Sequence, residues 1–407
     1  MIARLKLTKH VYSLMSVLIM LGCSQVPPRS AVPAELTHLV APAGLTQLRY
    51  FGDSRDNPFD DQYIQQLRQR QKRAGLLYNA QGHILPAHHL ALSGGGEYGA
   101  FGAGVLNAWS KRGDRPEFSV VTGISTGAII SVFAFLGAEY DSYLTRFYTQ
   151  TDGDQLFQSK SIFTMFTGLS LVNTEPFEAI VRETISADII EQVAQQHLRG
   201  RLLLMGTTDL DSQRPVVWNM GELALSDIAN KETLFEDIII ASSSVPGVFP
   251  AKMIDVSYQQ RQFQELHVDG GITHQVFLFP EVTLAKQQDK TSAREHRVYI
   301  IYNTKLDPDY HIADASLLAN TGRSIFTLLK YQGRGDVNQI YNQSIRYGFK
   351  FKLAYIRDDF EVTRPPEFFN RGYMNQLYQY GYRQTYQGQV WLNAPPEFKY
   401  VEQHMTE

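Results

Sequence analysis

The chain runs to 407 residues, with 38 Lys and Arg against 41 Asp and Glu and a formal net charge of −3. The charges are interspersed and form no basic stripe of the kind nucleic-acid binding requires, which sets that class of function aside. Cys23 is the single cysteine, so intrachain disulfides are excluded whatever the redox compartment.

A targeting pattern comes first. Arg4, Lys6 and Lys9 give a positive start, Val11 to Leu21 a short apolar stretch, and Gly22-Cys23-Ser24 the junction after it. This is the layout of a secretory signal, too short and poorly flanked for a membrane span. A small residue followed by cysteine resembles the lipobox of bacterial lipoproteins, with Met20 and Leu21 in the two preceding positions. That resemblance implies removal of residues 1–22, acylation of Cys23 and a membrane partner reached through the lipid. With Ser24 rather than aspartate after the cysteine, it also implies the outer membrane of a two-membraned bacterium. The competing readings are an uncleaved signal anchor and a plain secretory signal with an incidental cysteine.

Residues 23–86 read as a lipidated N-terminus, a tether at Val26-Pro27-Pro28-Arg29-Ser30 and one surface helix over Tyr63 to Leu77. Such a tether lets an anchored domain stand clear of its membrane. The roughly 320 residues that follow suit one large α/β enzyme.

The core opens at the short apolar strand His88 to Ser93, followed by Gly94-Gly95-Gly96-Glu97-Tyr98-Gly99 and a predicted helix over Ala100 to Trp109. A glycine run between strand and helix exposes successive backbone N–H groups, as a phosphate cradle or as an oxyanion hole. No Gly-Lys-Ser/Thr follows, which removes the P-loop. Gly94-x-Gly96-x-x-Gly99 does match the dinucleotide fingerprint, but the next strand lacks its acidic residue. That strand, Val120 to Thr122, runs instead into Gly123-Ile124-Ser125-Thr126-Gly127 and a helix over Ala128 to Leu136 that is apolar on nearly every side. Strand, G-x-S-x-G and helix predict a nucleophile elbow. Gly123 and Gly127 mark close backbone approaches, and Ser125 stands at the positive end of the helix. Two such turns in one α/β unit, one carrying a serine, favour acyl transfer.

A serine nucleophile needs a base, ordinarily histidine. His88 and His89 precede the glycine run, while His296 and His311 follow the core without a loop signature. The stronger feature is His267-Val268-Asp269-Gly270-Gly271, a strand ending in a carboxylate and a turn. It comes after Ala241-Ser242-Ser243-Ser244-Val245-Pro246-Gly247-Val248-Phe249-Pro250. His267 and Asp269 share a strand face, with His267 read first as a satisfied core residue and second as a partner of the carboxylate. No metal-ligand spacing is present in the sequence.

In this order the glycine run, the G-x-S-x-G, the Ala-Ser-x-x-x-Pro-Gly-x-Phe-Pro segment and the Asp-Gly-Gly resemble the patatin-like phospholipase family. The resemblance spans about Leu90 to Val298, with weaker echoes at Asn173 to Phe177, at Leu202 to Trp218 and at a closing helix over Phe368 to Tyr386. It implies a three-layer α/β/α core with a mainly parallel central sheet. The implied activity is lipid acyl hydrolysis, as phospholipase A, lysophospholipase or carboxylic ester hydrolase, on phospholipid or another acyl ester. It also implies a dyad of Ser125 as nucleophile and Asp269 as base, an oxyanion hole from the Gly94, Gly95 and Gly96 backbone, and no cofactor. The chain departs from the family pattern twice. Tyr98 stands where the family often has Arg or Lys, with Glu97 adding negative charge. Gln275 is the candidate replacement for an asparagine after Asp-Gly-Gly.

Phe157, Ile162, Phe163, Met165, Phe166, Leu169 and Leu171 read as ordinary core or as a flap over the site. Within 87–300 as the catalytic core and 301–407 as an extension, the tail predicts a strand at Val298–Tyr302 and a helix at Ala315–Tyr331. The extension then either completes the sheet or docks on the core. Two other functions compete with the dyad hydrolase: a serine esterase using one of the late histidines, and a non-catalytic lipid-binding or envelope protein on the same scaffold.

Overall fold

The computed structural model describes residues 29–54, 57–156, 158–159, 172–278, 294–310, 312 and 316–398. The signal segment with Cys23, most of the apolar stretch from Phe157 to Leu171, and His311 lie outside the described residues.

Nine strands form one sheet: β1 (Arg49–Phe51), β2 (Ala87–Leu92), β3 (Val120–Ile124), β4 (Leu202–Asp209), β5 (Arg214–Asn219), β6 (Lys252–Tyr258), β7 (Arg261–Asp269), β8 (His296–Tyr302) and β9 (Lys350–Tyr355). Their order is β1-β5-β4-β3-β2-β8-β9, with β7 joined to β4 and β6 to β7. From β4 to β9 through β3, β2 and β8 the pairing is parallel; β5, β1, β7 and β6 add antiparallel pairs.

Strand alternation builds two cores from one sheet. Leu90, Leu92, Val121, Leu203, Met205, Tyr299 and Ile301 point into one apolar cluster, and Ala91, Val120, Leu202, Leu204, Val298, Ile300 and Tyr302 into the other. The first face is covered by α2 (Gly99–Arg112), α3 (Thr126–Leu136), α4 (Asp141–Gln150), α5 (Glu175–Thr184), α6 (Ala187–Leu198), α7 (Lys231–Ser242) and α9 (Arg371–Tyr386). The second is covered by α1 (Asp61–Arg73) and α8 (Leu317–Arg346), which contribute Ile64, Leu67, Val337 and Ile340. Burial on both faces explains why β2, β3 and β8 read as continuous apolar runs. The expected three-layer α/β/α architecture is present.

The structure differs from the sequence expectations at the ends of the sheet. Arg49–Phe51, within the 23–86 region where no strand was expected, is an edge strand against β5. The expected boundary at residue 300 falls inside β8, because Val298 to Tyr302 is a single run paired with both β2 and β9. The predicted helix at 315–331 continues to Arg346, past Gly333 and Gly335, because Val337 and Ile340 bury against the sheet.

The closing helix α9 packs on α2 with backbones in contact. A Cβ on Gly104 would collide with the Tyr378 carbonyl, and one on Gly381 with the Phe101 carbonyl. Neither clash can be relieved by a rotamer change. Gly104→Ala is therefore expected to destabilise the fold by about 1–3 kcal/mol, read as a lower urea midpoint with an unchanged slope.

Candidate active site

The parallel strands end together, and β3 runs directly into Ser125. At Ser125 the backbone turns through φ 56° and ψ −128° before α3 begins. A non-glycine residue in that region costs on the order of 1–3 kcal/mol and persists only where neighbours over-determine it. They do so here. A Cβ on Gly123 would strike the Gly127 carbonyl, and one on Gly127 would strike the carbonyls of Leu92 and Ser93. The two glycines are thus required by close approach, as the G-x-S-x-G reading expects. Ser125 is 7% exposed at the N-terminus of α3.

Asp269 is brought to the same place by strand pairing. β4 pairs with β3 from Leu202 to Gly206 and, along the same edge, with β7 from Thr207 to Asp209, Thr207 facing Asp269. Asp269 therefore occupies the position on that edge just beyond Ile124. Its N–H donates to the Ser244 carbonyl at 2.9 Å, and its Oδ1 accepts the Gly271 N–H at 2.7 Å. Oδ2 is buried without a partner at standard hydrogen-bonding geometry. Burial pushes the carboxyl up to about 7, against the opposing pull of the Ser125 hydroxyl and the Gly271 N–H. Strand register thus sets this carboxyl next to the serine at the end of β3.

The serine-rich end of α7 joins the two. Ser242 Oγ accepts the Ser125 N–H at 3.0 Å and donates to the Gly206 carbonyl at 2.7 Å, while the Ser244 carbonyl holds the Asp269 N–H. The Ala-Ser-Ser-Ser segment stood out in the sequence, but its part in fixing both backbones did not.

The glycine run lies beside Ser125, and a Cβ on Gly94 would come within 3.2 Å of the serine Cβ. The expectation that Gly94, Gly95 and Gly96 all offer N–H groups needs one correction. Gly94 N–H already donates to the Gln275 carbonyl at 3.1 Å. Gly95 and Gly96, at φ 147° and 57°, are the remaining candidate donors. Gln275 also donates through Nε2 to the Gly271 carbonyl at 2.7 Å, so one residue ties the glycine run to the turn after Asp269. Asn303 anchors the run from β8. Its N–H donates to Ser93 Oγ at 2.8 Å and its Nδ2 to the Ser93 carbonyl at 2.9 Å. Nothing local in the sequence marks Asn303, which acts only because β8 lies beside β2.

Glu97 is 3% exposed, yet it is compensated. Arg364 pairs with it through Nε, and the Phe369 N–H donates to its Oε2 at 2.6 Å. The cation that the sequence lacks at position 98 comes to the glycine run from the C-terminal segment. Tyr98 itself packs edge-on against Tyr373 of α9.

The described histidines near the sheet ends have partners of their own. His89 and His296 meet at 2.9 Å near the start of β2 and β8, the end of the sheet opposite Ser125. Burial holds His88 and His296 down to about 4, leaving both neutral at pH 7. His267 is enclosed by Thr207 and Glu265, and Glu265 pairs with Arg49. It is the satisfied core residue of the two readings. His274, on the turn after Asp269, contacts Asp336 of α8 at 3.2 Å. Among the described residues no histidine is hydrogen-bonded to Ser125, and no three His, Cys, Asp or Glu side chains gather into a metal-binding group.

Ser242→Ala should leave the Ser125 N–H and the Gly206 carbonyl without their buried partner. The expected cost is about 1–3 kcal/mol of stability. Ester hydrolysis should fall about ten- to hundredfold with the native circular dichroism retained, because the elbow loses its clamp.

Residues 90–280 match the family model described as Patatin-like phospholipase. No curated protein sequence matches the chain. Among solved structures it is similar to VipD from Legionella pneumophila (12% identity, 76% of this chain and 68% of that one, TM-score 0.33). It is also similar to human GIVD cytosolic phospholipase A2 (11% identity, 84% and 64%, TM-score 0.36) and to the type III effector protein ExoU (13% identity, 75% and 53%, TM-score 0.33). The chain thus spans less than two thirds of the length of the last two. The matched segment starts in β2 and runs past the Asp269 turn, taking in the glycine run, the elbow and the serine-rich end of α7. Over residues 90–280 the chain is thus similar to the patatin-like phospholipase family.

Proposed function

We propose that the chain is a serine acyl hydrolase of phospholipid or related lipid esters, using a dyad of Ser125 and Asp269 in place of a triad. One observation carries the reading. A serine in a strained elbow at a helix N-terminus lies next to a buried carboxyl that burial holds up to about 7, a value suited to taking and returning a proton near neutral pH.

In the acylation step Ser125 Oγ bonds to the ester carbonyl carbon while its proton passes to Asp269. The carbonyl electrons move onto oxygen, and the N–H groups of Gly95 and Gly96 stabilise that charge, an effect worth about 3 kcal/mol per donor. Collapse of the intermediate breaks the ester C–O bond, and the leaving oxygen takes the proton from Asp269. Water then attacks the acyl-serine with Asp269 again as base, and collapse releases the fatty acid and returns the proton to Ser125.

Ser125→Ala should retain the fold and lose about four orders of magnitude in kcat on a water-soluble short-chain ester. Asp269→Asn should lose a comparable factor, whereas Ala at His274, His296 or His311 should leave substantial activity. A histidine as essential as Ser125 would replace the dyad with a triad. In the wild type kcat/KM should rise about tenfold per pH unit up to about 7 and then level off, as the base loses its proton. The same carboxyl binds a proton more tightly folded than unfolded between about 4 and 7, so it costs stability as pH rises through that window. Asp269→Asn should therefore raise Tm relative to wild type at pH 8 and bring little gain at pH 4.

For location, the reading is a lipoprotein acylated at Cys23 after removal of residues 1–22, in the outer membrane of a two-membraned bacterium. Its support is the sequence pattern from Arg4 to Ser24 and the need for more than one acyl chain for stable anchoring, which a lipoprotein cysteine meets. Metabolic labelling with a fatty-acid probe should mark the wild type in the membrane fraction and not Cys23→Ala. Equal labelling of the two would end the lipoprotein reading and leave the hydrolase untouched.

A further inference from the structure

We infer that the exposed first half of α8 is the surface by which the domain docks on a phospholipid bilayer and presents its site to it. The choice of occupant rests on the hydrolase reading above.

α8 has 30 residues and an axial length of about 45 Å. Its second half is built into the molecule. Asp336 accepts the Gln275 N–H at 2.6 Å and contacts His274, and Gln332 Nε2 donates to the Ile272 carbonyl at 3.2 Å. Both attachments are to the turn that follows Asp269. The first half is not packed in this way, and from Asn320 to Gln332 no residue is buried. Large apolar side chains stand there in the open: Ile325 at 47%, Phe326 at 65%, Leu328 at 70% and Tyr331 at 57% exposure. Helical spacing puts Ile325, Leu328, Gln332 and Asp336 in one stripe. The stripe attached to the Asp269 turn therefore continues outward as bare apolar surface. Ile272, on the turn itself, is 41% exposed and brings that surface to the site.

An exposed apolar group of this size marks an interaction surface, and two observations select a lipid surface. The patch is continuous with the catalytic turn, so whatever covers it comes up against the site. From Leu317 to Gly335 the helix carries Arg323, Lys330 and Arg334 and no carboxylate, the basic and apolar composition of helices that lie in a bilayer interface. Arg323 and Lys330 donate to the carbonyls of Asp309 and Asp307, and Arg334 pairs with Glu397 at 3.3 Å; these acidic neighbours offset that charge, so insertion of apolar side chains carries the contact. No described helix is long and apolar enough to cross a membrane.

Two variants of the full chain test this. In the first, Leu328→Cys is labelled with a polarity-sensitive dye in a Cys23→Ser, Ser125→Ala background, so that the dye has one site and the vesicles stay intact. Vesicles of phosphatidylglycerol and phosphatidylcholine should shift the emission to the blue. An emission that vesicles leave unchanged overturns the inference. A dye already shifted in dilute protein would mean cover by the chain's own apolar residues 160–171, and a shift that grows with protein concentration would mean a second copy; either overturns it. In the second, Ile325→Ser with Phe326→Ser in the active chain should lower hydrolysis of vesicle phospholipid at least about tenfold. Hydrolysis of a water-soluble ester should stay within about twofold, and equal loss on both substrates overturns the inference. Failure of the parent chain to hydrolyse either substrate would sink the hydrolase reading alone, since the dye experiment uses an inactive chain.

Discussion

One edge of β4 governs the site. Up to Gly206 it pairs with β3, and from Thr207 it pairs in the opposite direction with β7. The change of partner is needed because β3 ends where the chain turns sharply at Ser125. The vacated backbone groups of β4 would otherwise be buried without hydrogen bonds, at a cost of about 1–3 kcal/mol each. β7 satisfies them, and its last residue is Asp269. The hydrogen-bonding demand of an interrupted parallel strand thus sets a carboxyl beside a serine about 140 residues away in sequence.

The same edge explains why the serine cluster at the end of α7 matters. Ser242 bridges the Ser125 N–H and the Gly206 carbonyl, and Ser244 takes the Asp269 N–H. A strained elbow and a buried carboxyl both raise the free energy of the folded state. Both are held by backbone-directed hydrogen bonds, which leave one carboxyl oxygen of Asp269 without a partner. Stability is reduced at this site, and the large apolar clusters on the two sheet faces offset the loss.

Residues beyond 300 take part in the site through the groups they hold in place. Asn303 fixes the strand end before the glycine run, Asp336 holds the backbone of Gln275, and Arg364 neutralises the buried Glu97. Gln275 then links the glycine run to the Asp269 turn. The C-terminal extension therefore determines how firmly the backbone donors are held, and through α8 it also forms the surface beside them.

Local chemistry made part of this legible in the sequence. Gly123 and Gly127 around Ser125 signal a tight strand-to-helix turn, because only glycine allows those backbones to approach. The continuous apolar runs of β2, β3 and β8 signal strands covered on both faces. The order of glycine run, elbow, serine cluster and Asp-Gly-Gly carried the family resemblance, since each motif is a short-range solution to a backbone problem. Other features depended on contacts between distant segments and left no local mark. Arg49–Phe51 did not show as a strand because three residues carry no periodicity, and it became one only by pairing with β5. Glu97 looked like an uncompensated charge because Arg364 lies 267 residues away. Gly94 looked like an oxyanion donor because nothing nearby in sequence shows its N–H pointing to Gln275. Sequence alone determined where the tight glycine turns and the strand-to-helix elbow fall. Tertiary structure decided which backbone donors stay free and which charges are paired, because both depend on what packs against each group.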